Sequence, residues 1–308
     1  VPSPHRRGCT KTADGDRADF IDRATGKPAG SHDGAVLIAA DGIQSAVREK
    51  LYPQEGPPIW NGRILWRGIT RANSFLSGRT MIMAGHEVLK FVCYPISNAP
   101  LPNGKLRVNW IAERLLPPTY SWRREDYNRA AKLDEFLPWF EDWRFDWLDV
   151  PGLIRNCAHA YEYPLVDRDP IDRWTFGNIT LMGDAAHPMY PIGSNGASQA
   201  ILDARVLTRE ILKHGETAAA LEAYEAERRP ATTELVKLNR RNGPEQVMQL
   251  VEERAPNGFN VVTDVMSQQE LEEVANTYKR GAGFQVDALN AKPPMVPKPE
   301  TSFLSSAG

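Results

Sequence analysis

Two short apolar runs mark the chain and predict buried strands of a parallel sheet. Residues 35–40 read Ala-Val-Leu-Ile-Ala-Ala, and residues 178–182 read Asn-Ile-Thr-Leu-Met. The first run is apolar without interruption, which favours a strand covered on both faces, and the second is a further strand candidate. Between them, residues 54–172 are rich in Trp, Tyr and Pro and alternate in several patches, which predicts a mostly antiparallel sheet.

The periodicity of the remaining segments predicts the helices. The strand-like patches of the middle region are 64–70, 80–83, 89–95 and 105–111, and the stretch 129–143 is predicted to be a helix. Another helix is predicted over 196–213, with one apolar face formed by Ala197, Ala200, Ile201, Ala204, Leu207 and Ile211. Gly215 is a typical helix stop, and Thr217 is a candidate N-cap for a further helix that is kinked at Pro230.

Composition narrows the class of protein. The 308 residues suffice for one large domain or two moderate ones, and 42% hydrophobic with 25% charged residues is typical of soluble globular proteins. A net charge of −2 gives no reason to expect a nucleic acid partner, and no apolar run approaches the roughly 20 residues of a membrane span. Cys9, Cys93 and Cys157 are far apart, which favours a reducing cytoplasm over a disulfide framework or a metal site.

Both apolar runs end in an acid and a glycine. The first continues into Asp41-Gly42 and the second into Gly183-Asp184. Ligands of open α/β sheets bind beyond the carboxyl ends of the strands, where a glycine permits close approach and an aspartate accepts hydrogen bonds from hydroxyl groups. The alternative is that each aspartate only caps the next helix and each glycine only turns the chain. Because both motifs occur around a sheet-rich stretch, a ligand site is favoured.

The loop that follows Asp184 leads into a helix start. Pro191 and Gly193 stiffen or turn this loop, and Ser194 or Asn195 is a candidate cap for the helix from Gly196. The start of a helix presents free N–H groups and the positive end of its dipole. Such a site suits the N1–C2=O edge of a flavin, which becomes negative on reduction. A simple capped helix after a loop is the alternative.

The two motif segments carry a family resemblance. Residues 36–48 (VLIAADGIQSAVR) and 179–204 (ITLMGDAAHPMYPIGSNGASQAILDA) resemble the two downstream motifs of the class A FAD-dependent aromatic monooxygenases, the group of para-hydroxybenzoate and salicylate hydroxylases. Segments 66–68, 94–97 and 163–170 look most similar to a phenazine-pathway hydroxylase of that group. The resemblance covers roughly residues 30 to 242.

The resemblance implies an α/β (α+β) fold with a divided domain. A Rossmann-like, three-layer FAD-binding domain is expected over 1–53 and 173–245, with an inserted substrate domain of mostly antiparallel strands over 54–172. Residues 246–308 are left as a C-terminal helical extension and a loose tail. The middle sheet is expected to cover the site of the flavin ring.

Roles follow from the resemblance residue by residue. Asp184 is expected to bind the ribityl chain, the loop and helix start to lie along the isoalloxazine ring, and the first motif to lie near the pyrophosphate and the groove visited by NADH or NADPH. The cofactor-binding residues implied are Asp41, Gly42, Arg48, Gly183, Asp184, Pro191, Gly193, Ser194, Asn195, Gly196 and Ala197.

The implied reaction is carried by the cofactor. NAD(P)H reduces FAD, O2 adds to give a flavin C4a-hydroperoxide, and one oxygen atom passes to an aromatic substrate. The weaker candidates for the substrate pocket are Tyr94, Trp110, Tyr190 and Arg67, with Arg67 as a partner for a substrate carboxylate. His187 is interpreted as a loop histidine bonded to the backbone, since no catalytic side chain or metal is required.

The chain departs from the family at its start. The family opens with a G-x-G-x-x-G turn that holds the pyrophosphate, and no such turn precedes Asp41. We therefore expect that roughly the first hundred residues of the fold, including its first βαβ unit, are absent. The alternatives are another flavoenzyme on the same scaffold, or a catalytically silent fragment that binds FAD poorly. A flavin halogenase is disfavoured because its W-x-W-x-I-P segment is missing.

Overall fold

The structure is a computed structural model, and it describes residues 4–12, 15–22, 24–120, 129–241, 243–283, 285–291 and 293–294. The chain divides into two compact units. Unit 1 comprises 1–59, 167–244 and 269–308, and unit 2 comprises 60–166 and 245–268. Within the described residues, no helix combines the length and the apolar character needed to cross a bilayer.

Fourteen strands are found in the part of the chain that the structure describes. In chain order they are β1 (Pro4–Thr12), β2 (Gly15–Asp22), β3 (Pro28–Gly34), β4 (Leu37–Ala39), β5 (Ile59–Ala72), β6 (Ile82–Gly85), β7 (Leu89–Pro95), β8 (Leu106–Leu115), β9 (Arg129–Ala130), β10 (Arg144–Phe145), β11 (Leu148–Asp149), β12 (Ala160–Asp167), β13 (Thr175–Phe176) and β14 (Ile179–Leu181).

The α-helices of the described residues lie mostly in the second half of the chain. They are α1 (Ala46–Leu51), α2 (Val150–Arg155), α3 (Gly196–His214), α4 (Ala218–Arg240), α5 (Gln246–Arg254), α6 (Gln268–Gly281) and α7 (Val286–Asn290). The helices predicted after Asn195 and Thr217 are confirmed, with Gly215 ending the first and Pro230 inside the second. The loose tail predicted for the end of the chain lies outside the described residues from 295 onward.

Unit 1 contains two small sheets. Strands β1, β2 and β3 form an antiparallel sheet, which the sequence analysis did not predict. The other sheet has the order β13-β14-β4, and its last two strands are parallel, as predicted from the two apolar runs. Leu37 and Leu181 of these strands are buried with Val206 and Leu221 of the two long helices in one hydrophobic cluster.

The predicted apolar face of α3 is wrong in part. Ile201 is 62% exposed, whereas Gln199, Asp203 and Glu210 are buried together with Val206 and Leu207. The buried polar side chains have partners elsewhere in the unit. Asp203 and Gln199 both accept hydrogen bonds from Arg228 of α4. Since buried polar groups are tolerated when they are paired, helical periodicity of apolar residues alone misplaced this face.

Unit 2 is built on a six-stranded sheet with the order β6-β7-β8-β5-β12-β9. The pairs β5/β8, β6/β7, β7/β8 and β9/β12 are antiparallel, which confirms the mostly antiparallel character predicted for this region. One face of the sheet carries the aromatic core, including Trp66, Phe91 and Trp110. On the other face Lys90 pairs with Glu113 at 3.0 Å and with Glu245, which precedes α5.

The helix predicted over 129–143 is wrong. Arg129–Ala130 pairs with β12, and only short 3₁₀ turns follow at Leu133–Glu135 and Leu137–Phe140. Pro138 lacks an N–H and restricts the residue before it, which disfavours a continuous α-helix through this position. Phe136 is nonetheless fully buried and stacks on a ring of the sheet. The apolar spacing therefore reflected packing into the core and not a regular helix.

Candidate active site

The parallel pairing of β4 with β14 brings the two acid–glycine motifs to one edge of the sheet. Leu37 pairs with Ile179 and Ala39 with Leu181, so that the chain leaves both strands in the same direction. Asp41 follows Ala39 by two residues and Asp184 follows Leu181 by three. The two runs predicted to be strands of a parallel sheet are thus neighbours in it, and each motif follows the carboxyl end of its strand.

Asp41 caps the helix that follows it. Its Oδ1 accepts from the hydroxyl of Ser45 at 2.5 Å, and its Oδ2 accepts from the backbone N–H of Ala46 at 3.0 Å. The hydroxyl of Ser45 in turn accepts from the N–H of Arg48. Gly42 adopts a left-handed conformation, with φ of 82°, and the space beside its Cα is open. Asp41 therefore has a structural role, while the adjacent glycine leaves room for a ligand.

Arg48 joins the first motif to the second. Its side chain is 1% exposed, and its Nη1 donates to the carbonyls of Ala185 and Ala186 at 3.1 and 2.8 Å. Its Nε and Nη2 donate to the carboxylate of Glu55, and Nη2 also donates to the carbonyl of Asp169. All three guanidinium nitrogens thus bond to protein groups. Sequence analysis placed Arg48 among the cofactor-binding residues, whereas its contacts are those of a clamp that fixes the loop after β14.

Asp203 of α3 supports the second motif through contacts with Gly183 and His187. This fully buried carboxylate accepts from the N–H of Gly183 at 3.1 Å, from Arg228 at 2.7 Å and contacts His187 Nε2 at 2.5 Å. Burial acts to raise the pKa of Asp203, but the bonds and charges of His187 and Arg228 outweigh it and hold the pKa below its usual value. Asp203 is a residue that the sequence analysis missed, because its partners are distant in sequence.

His187 is buried and oriented by this carboxylate. Its Nδ1 has no hydrogen-bond partner among the described residues, and its ring lies 5.3 Å from that of Trp174. The interpretation of His187 as a loop histidine bonded to the backbone was wrong in its partner, since the contact is with a side chain. His187 therefore has a structural role within the second motif.

Asp184 lies exposed at the same edge, and its side chain has no hydrogen-bond partner among the described residues. No described residue donates a hydrogen bond to its carboxylate, and its Oδ1 lies 3.9 Å from the position that a Cβ of Gly196 would take. Partial desolvation raises the pKa of Asp184, and the charge of His187 partly offsets this effect. Asp184 thus presents a carboxylate acceptor beside the start of α3.

The loop between Asp184 and α3 has an unusual backbone. Gly193 and Ser194 are both left-handed, with φ of 71° and 55°, and the conformation is uncommon for a serine. Asn195, one of the two predicted candidates, is the N-cap residue of α3, but its side chain makes no capping hydrogen bond. The first N–H groups of the 19-residue helix therefore have no side-chain cap at Asn195. Pro191 and Ala197 at the two ends of this loop are exposed.

Two weaker substrate candidates are buried in the protein. Trp110 is fully buried in the aromatic core of unit 2, and its Nε1 donates to the hydroxyl of Thr70 at 3.0 Å. Tyr190 is 5% exposed, and its hydroxyl hydrogen-bonds to Asp167 in unit 1. Sequence analysis placed Trp110 in a pocket because strand alternation does not tell which face of a sheet is covered. Trp110 is a core residue.

The other two candidates lie on the opposite face of the unit 2 sheet. Tyr94 and Ile69 both pair with Asn109, and Arg67, two residues before Ile69 on β5, donates from Nε to Asn109 Oδ1 at 2.8 Å. Asn109 is 1% exposed, yet its Nδ2 has no partner among the described residues. On this face the exposed guanidinium of Arg67 is therefore held through Nε by Asn109. The buried Nδ2 of Asn109 has no partner among the described residues.

The arrangement in unit 1 fits the ribityl and ring half of FAD. Asp184 is an acceptor without a partner among the described residues, and Asn195 Oδ1 is buried and equally unpaired. Positive-φ glycines at Gly42, Gly183 and Gly193 allow the backbone to turn tightly at this edge. A ribityl chain carries hydroxyl donors, and a flavin ring carries both donor and acceptor atoms, so these features suit both parts of the cofactor.

Comparison with known proteins agrees with this fit. The family model described as "FAD binding domain" matches residues 166–239. Phenazine 1,6-dicarboxylic acid hydroxylase PhzS of Lysobacter antibioticus is 41% identical over 232 residues, which are 74% of this chain and 56% of the relative. 3-Hydroxybenzoate 6-hydroxylase 1 of Aquipseudomonas alcaligenes is 30% identical over 194 residues, which are 62% of this chain and 46% of the relative.

Solved structures show the same fold. Klebsiella pneumoniae HpxO, complexed with FAD and uric acid, has a TM-score of 0.67 at 23% identity over 94% of this chain and 67% of its own. A salicylate hydroxylase substrate complex has a TM-score of 0.63 at 22% identity over 91% of this chain and 70% of its own. The chain spans about half the length of the curated relatives it matches. By sequence and fold, the chain is a member of the class A flavin monooxygenase group and carries part of its FAD binding domain.

Proposed function

We propose that this chain is part of an FAD-dependent monooxygenase that hydroxylates an aromatic ring with NAD(P)H and O2. The observation that carries the proposal is the parallel β4/β14 pair, which brings an unpaired Asp184 carboxylate to the start of α3 at a ligand-binding edge. The relatives are named as hydroxylases and monooxygenases. Hydroxylation is therefore favoured over another flavin reaction or a silent fragment.

Each residue of the site has a defined part in this proposal. Asp184 accepts a hydrogen bond from a ribityl hydroxyl, and the N–H groups at the start of α3 face the N1–C2=O edge of the ring. When bound, FAD supplies the redox chemistry, and the protein supplies placement, charge and exclusion of water. Arg48 and Asp203 do not touch the cofactor but hold the loops that do.

We further propose that the substrate is an aromatic acid. Two relatives are named for a phenazine dicarboxylic acid and a hydroxybenzoate. In this chain the terminal nitrogens of Arg67, whose Nε is held by Asn109, are suited to a carboxylate, since guanidinium groups bind carboxylates in a two-point geometry. Tyr94 on the same face supplies an aromatic surface. A reducing cytoplasm is the expected compartment.

The proposal is tested by titrating the 308-residue chain with riboflavin, FMN and FAD and following flavin fluorescence. The residues identified here surround the ribityl and ring half of the cofactor, so all three ligands should bind with similar affinity. ADP should not compete. Asp184→Ala should weaken binding of each by roughly tenfold to hundredfold, because a hydrogen bond to a charged group contributes about 1.5–3 kcal/mol.

A matched control is Asp172→Ala, which removes an exposed carboxylate of the same unit that belongs to neither motif. It should bind flavin like the unaltered chain. Flavin binding that is absent, or that is equally sensitive to the two substitutions, would count against the proposed site.

A further inference from the structure

The hydroxyl of Tyr278 in α6 is placed inside the loop that precedes α3. It accepts a hydrogen bond from Asn195 Nδ2, and it lies 3.1 Å from Asn239 Oδ1 and 3.4 Å from the carbonyl of Ile192. A hydroxyl has one hydrogen to donate, and Asn239 is the nearer acceptor. Asn239 also donates to the carbonyl of Tyr190 at 3.1 Å. One buried tyrosine thus connects the loop to α4.

Two glycines form the slot in which the Tyr278 ring lies. A Cβ at Gly193 would lie 2.0 Å from the hydroxyl oxygen, and a Cβ at Gly243 would lie 2.9 Å from the ring. Both glycines have positive φ. A side chain at either position would displace the ring, so the loop conformation and the position of Tyr278 depend on each other.

The helix that carries Tyr278 is itself closely packed. A Cβ at Gly281 would meet Leu238 of α4 at 2.2 Å, which shows how near the two helices approach. Tyr278 is 7% exposed and is buried in one cluster with Leu235 and Ala282. The tyrosine is thus held by α4 on one side and reaches the loop on the other.

The loop needs such support because its backbone is strained. Gly193 and Ser194 are left-handed in succession, and for serine this conformation persists only when the surroundings enforce it. The bond from Tyr278 also orients the amide of Asn195. Asn195 is 1% exposed, and its Oδ1 has no partner among the described residues. Tyr278 therefore fixes the direction of a buried acceptor that remains available.

We propose that Tyr278 is a positioning residue of the flavin site. It sets the backbone between Pro191 and Ala197, and with it the N–H groups at the start of α3, without contacting the flavin. This inference rests on the proposed function for its ligand, but the hold of Tyr278 on the loop is a property of the chain alone.

The test compares Tyr278→Phe with Tyr52→Phe. Both substitutions remove one hydroxyl from a tyrosine of unit 1, but the hydroxyl of Tyr52 donates to the carbonyl of Arg173 at 2.7 Å, which is not part of the loop. In the chain without flavin, Tyr278→Phe should speed amide hydrogen exchange at residues 192–197 about tenfold, since a buried donor and acceptor lose their partner. Tyr52→Phe should leave exchange at these residues unchanged.

Flavin binding provides the second measurement. Tyr278→Phe should weaken riboflavin binding about tenfold and shift the visible spectrum of the bound flavin, while Tyr52→Phe alters neither. Equal exchange and equal affinity in the two variants would overturn the proposal, as would faster exchange without any change in affinity or spectrum. If the unaltered chain takes up no flavin, the proposed function and this positioning role both fail, while the exchange data still report on the loop.

Discussion

Arg48 Nη1 donates to the carbonyl oxygen of Ala186 at 2.8 Å, across 138 positions of the sequence. This bond ties the short helix after β4 to the loop after β14. The same guanidinium bonds to Glu55 and to the carbonyl of Asp169, so four segments of unit 1 meet at one buried charge. The edge of the parallel sheet that carries Asp184 is therefore held by a side chain that has no free donor nitrogen for a ligand.

Replacement of Arg48 by Met is expected to lower the free energy of unfolding by about 3 kcal/mol, because it leaves three carbonyls without their donor and leaves Glu55 with Arg168 as its remaining ion-pair partner. Urea unfolding followed by circular dichroism measures the effect. Lys237→Met, which breaks the exposed pair with Glu234, should change stability by less than about 0.5 kcal/mol. A similar small change for Arg48→Met would show that the clamp is dispensable.

Replacement of Asp203 by Asn tests the support beneath the second motif. The substitution keeps the shape but leaves the buried guanidinium of Arg228 without its ion pair, which should cost about 3 kcal/mol at neutral pH. Glu234→Gln in α4 is the matched control, since it neutralises an exposed carboxylate. Unfolding free energies of the three proteins should show a loss for Asp203→Asn alone.

The stability lost in Asp203→Asn should depend on pH in one direction only. The pKa of Asp203 is held below its usual value in the folded chain by His187 and Arg228, after burial has acted in the opposite direction. Its contribution is therefore complete above the unfolded value of about 3.9 and disappears as pH falls through the folded pKa. The stability gap between the two proteins should be constant at neutral pH and close in strong acid. If the stability difference disappeared near neutral pH, a titratable group other than Asp203 would be its cause.

The sequence predicted those elements whose signal is local. The run at Leu37–Ala39 is apolar at every position, and its place in a parallel pair followed from composition alone. Burial on both faces did not follow, since Leu37 and Ala39 are buried but Ile38 is 39% exposed. Helix α3 and its stop at Gly215 followed from periodicity and from the conformational freedom of glycine. Asp184 was identified by its place after a strand. Each of these inferences needed only neighbouring residues.

The rest depended on partners far along the chain. Asp203 is polar but buried because Arg228 reaches it from another helix, and no pattern within α3 indicates this. Tyr278 lies 83 positions from Asn195, in a segment that the sequence analysis left without a role. Trp110 alternates correctly with its neighbours, but alternation does not distinguish a core face from a ligand face. Long-range pairing of polar groups was therefore the main source of error.

The affinity for flavin should fall in mild acid because of Asp184. Desolvation raises the pKa of its carboxyl above the usual value of about 3.9, so that it begins to protonate at a higher pH than an ordinary aspartate. Protonation removes the charge that strengthens the bond to a ribityl hydroxyl. Riboflavin titrations between neutral and acid pH should show this decline in the unaltered chain, and Asp184→Asn should bind weakly throughout.

Protonation of Asp184 should weaken flavin binding but stabilise the folded chain. A carboxyl with a raised folded pKa destabilises the folded chain above that pKa, and the cost is relieved as pH falls through it. Asp184→Asn should therefore be no less stable than the unaltered chain at neutral pH, although it binds flavin less well. Parallel unfolding curves at neutral pH check this. A marked loss of stability would mean that Asp184 has a structural partner.

The choice of an aromatic acid as substrate is tested at Arg67. Its guanidinium is fixed at Nε by Asn109 and bonds through no other nitrogen to the described residues, so its terminal nitrogens face outward from the sheet. Arg67→Met should weaken binding of hydroxybenzoate or phenazine carboxylate by roughly tenfold to hundredfold, since a charge-assisted bond is lost. Binding of the matching carboxamides should change little, because they carry no charge.

Arg71→Met is the matched control, as Arg71 lies four residues along the same strand and on the same face. Isothermal titration of acid and amide against the three proteins separates the outcomes. A loss of affinity that is equal for acid and amide would identify Arg67 as a general packing residue, and an equal loss in Arg71→Met would indicate attraction by overall charge and not a carboxylate site.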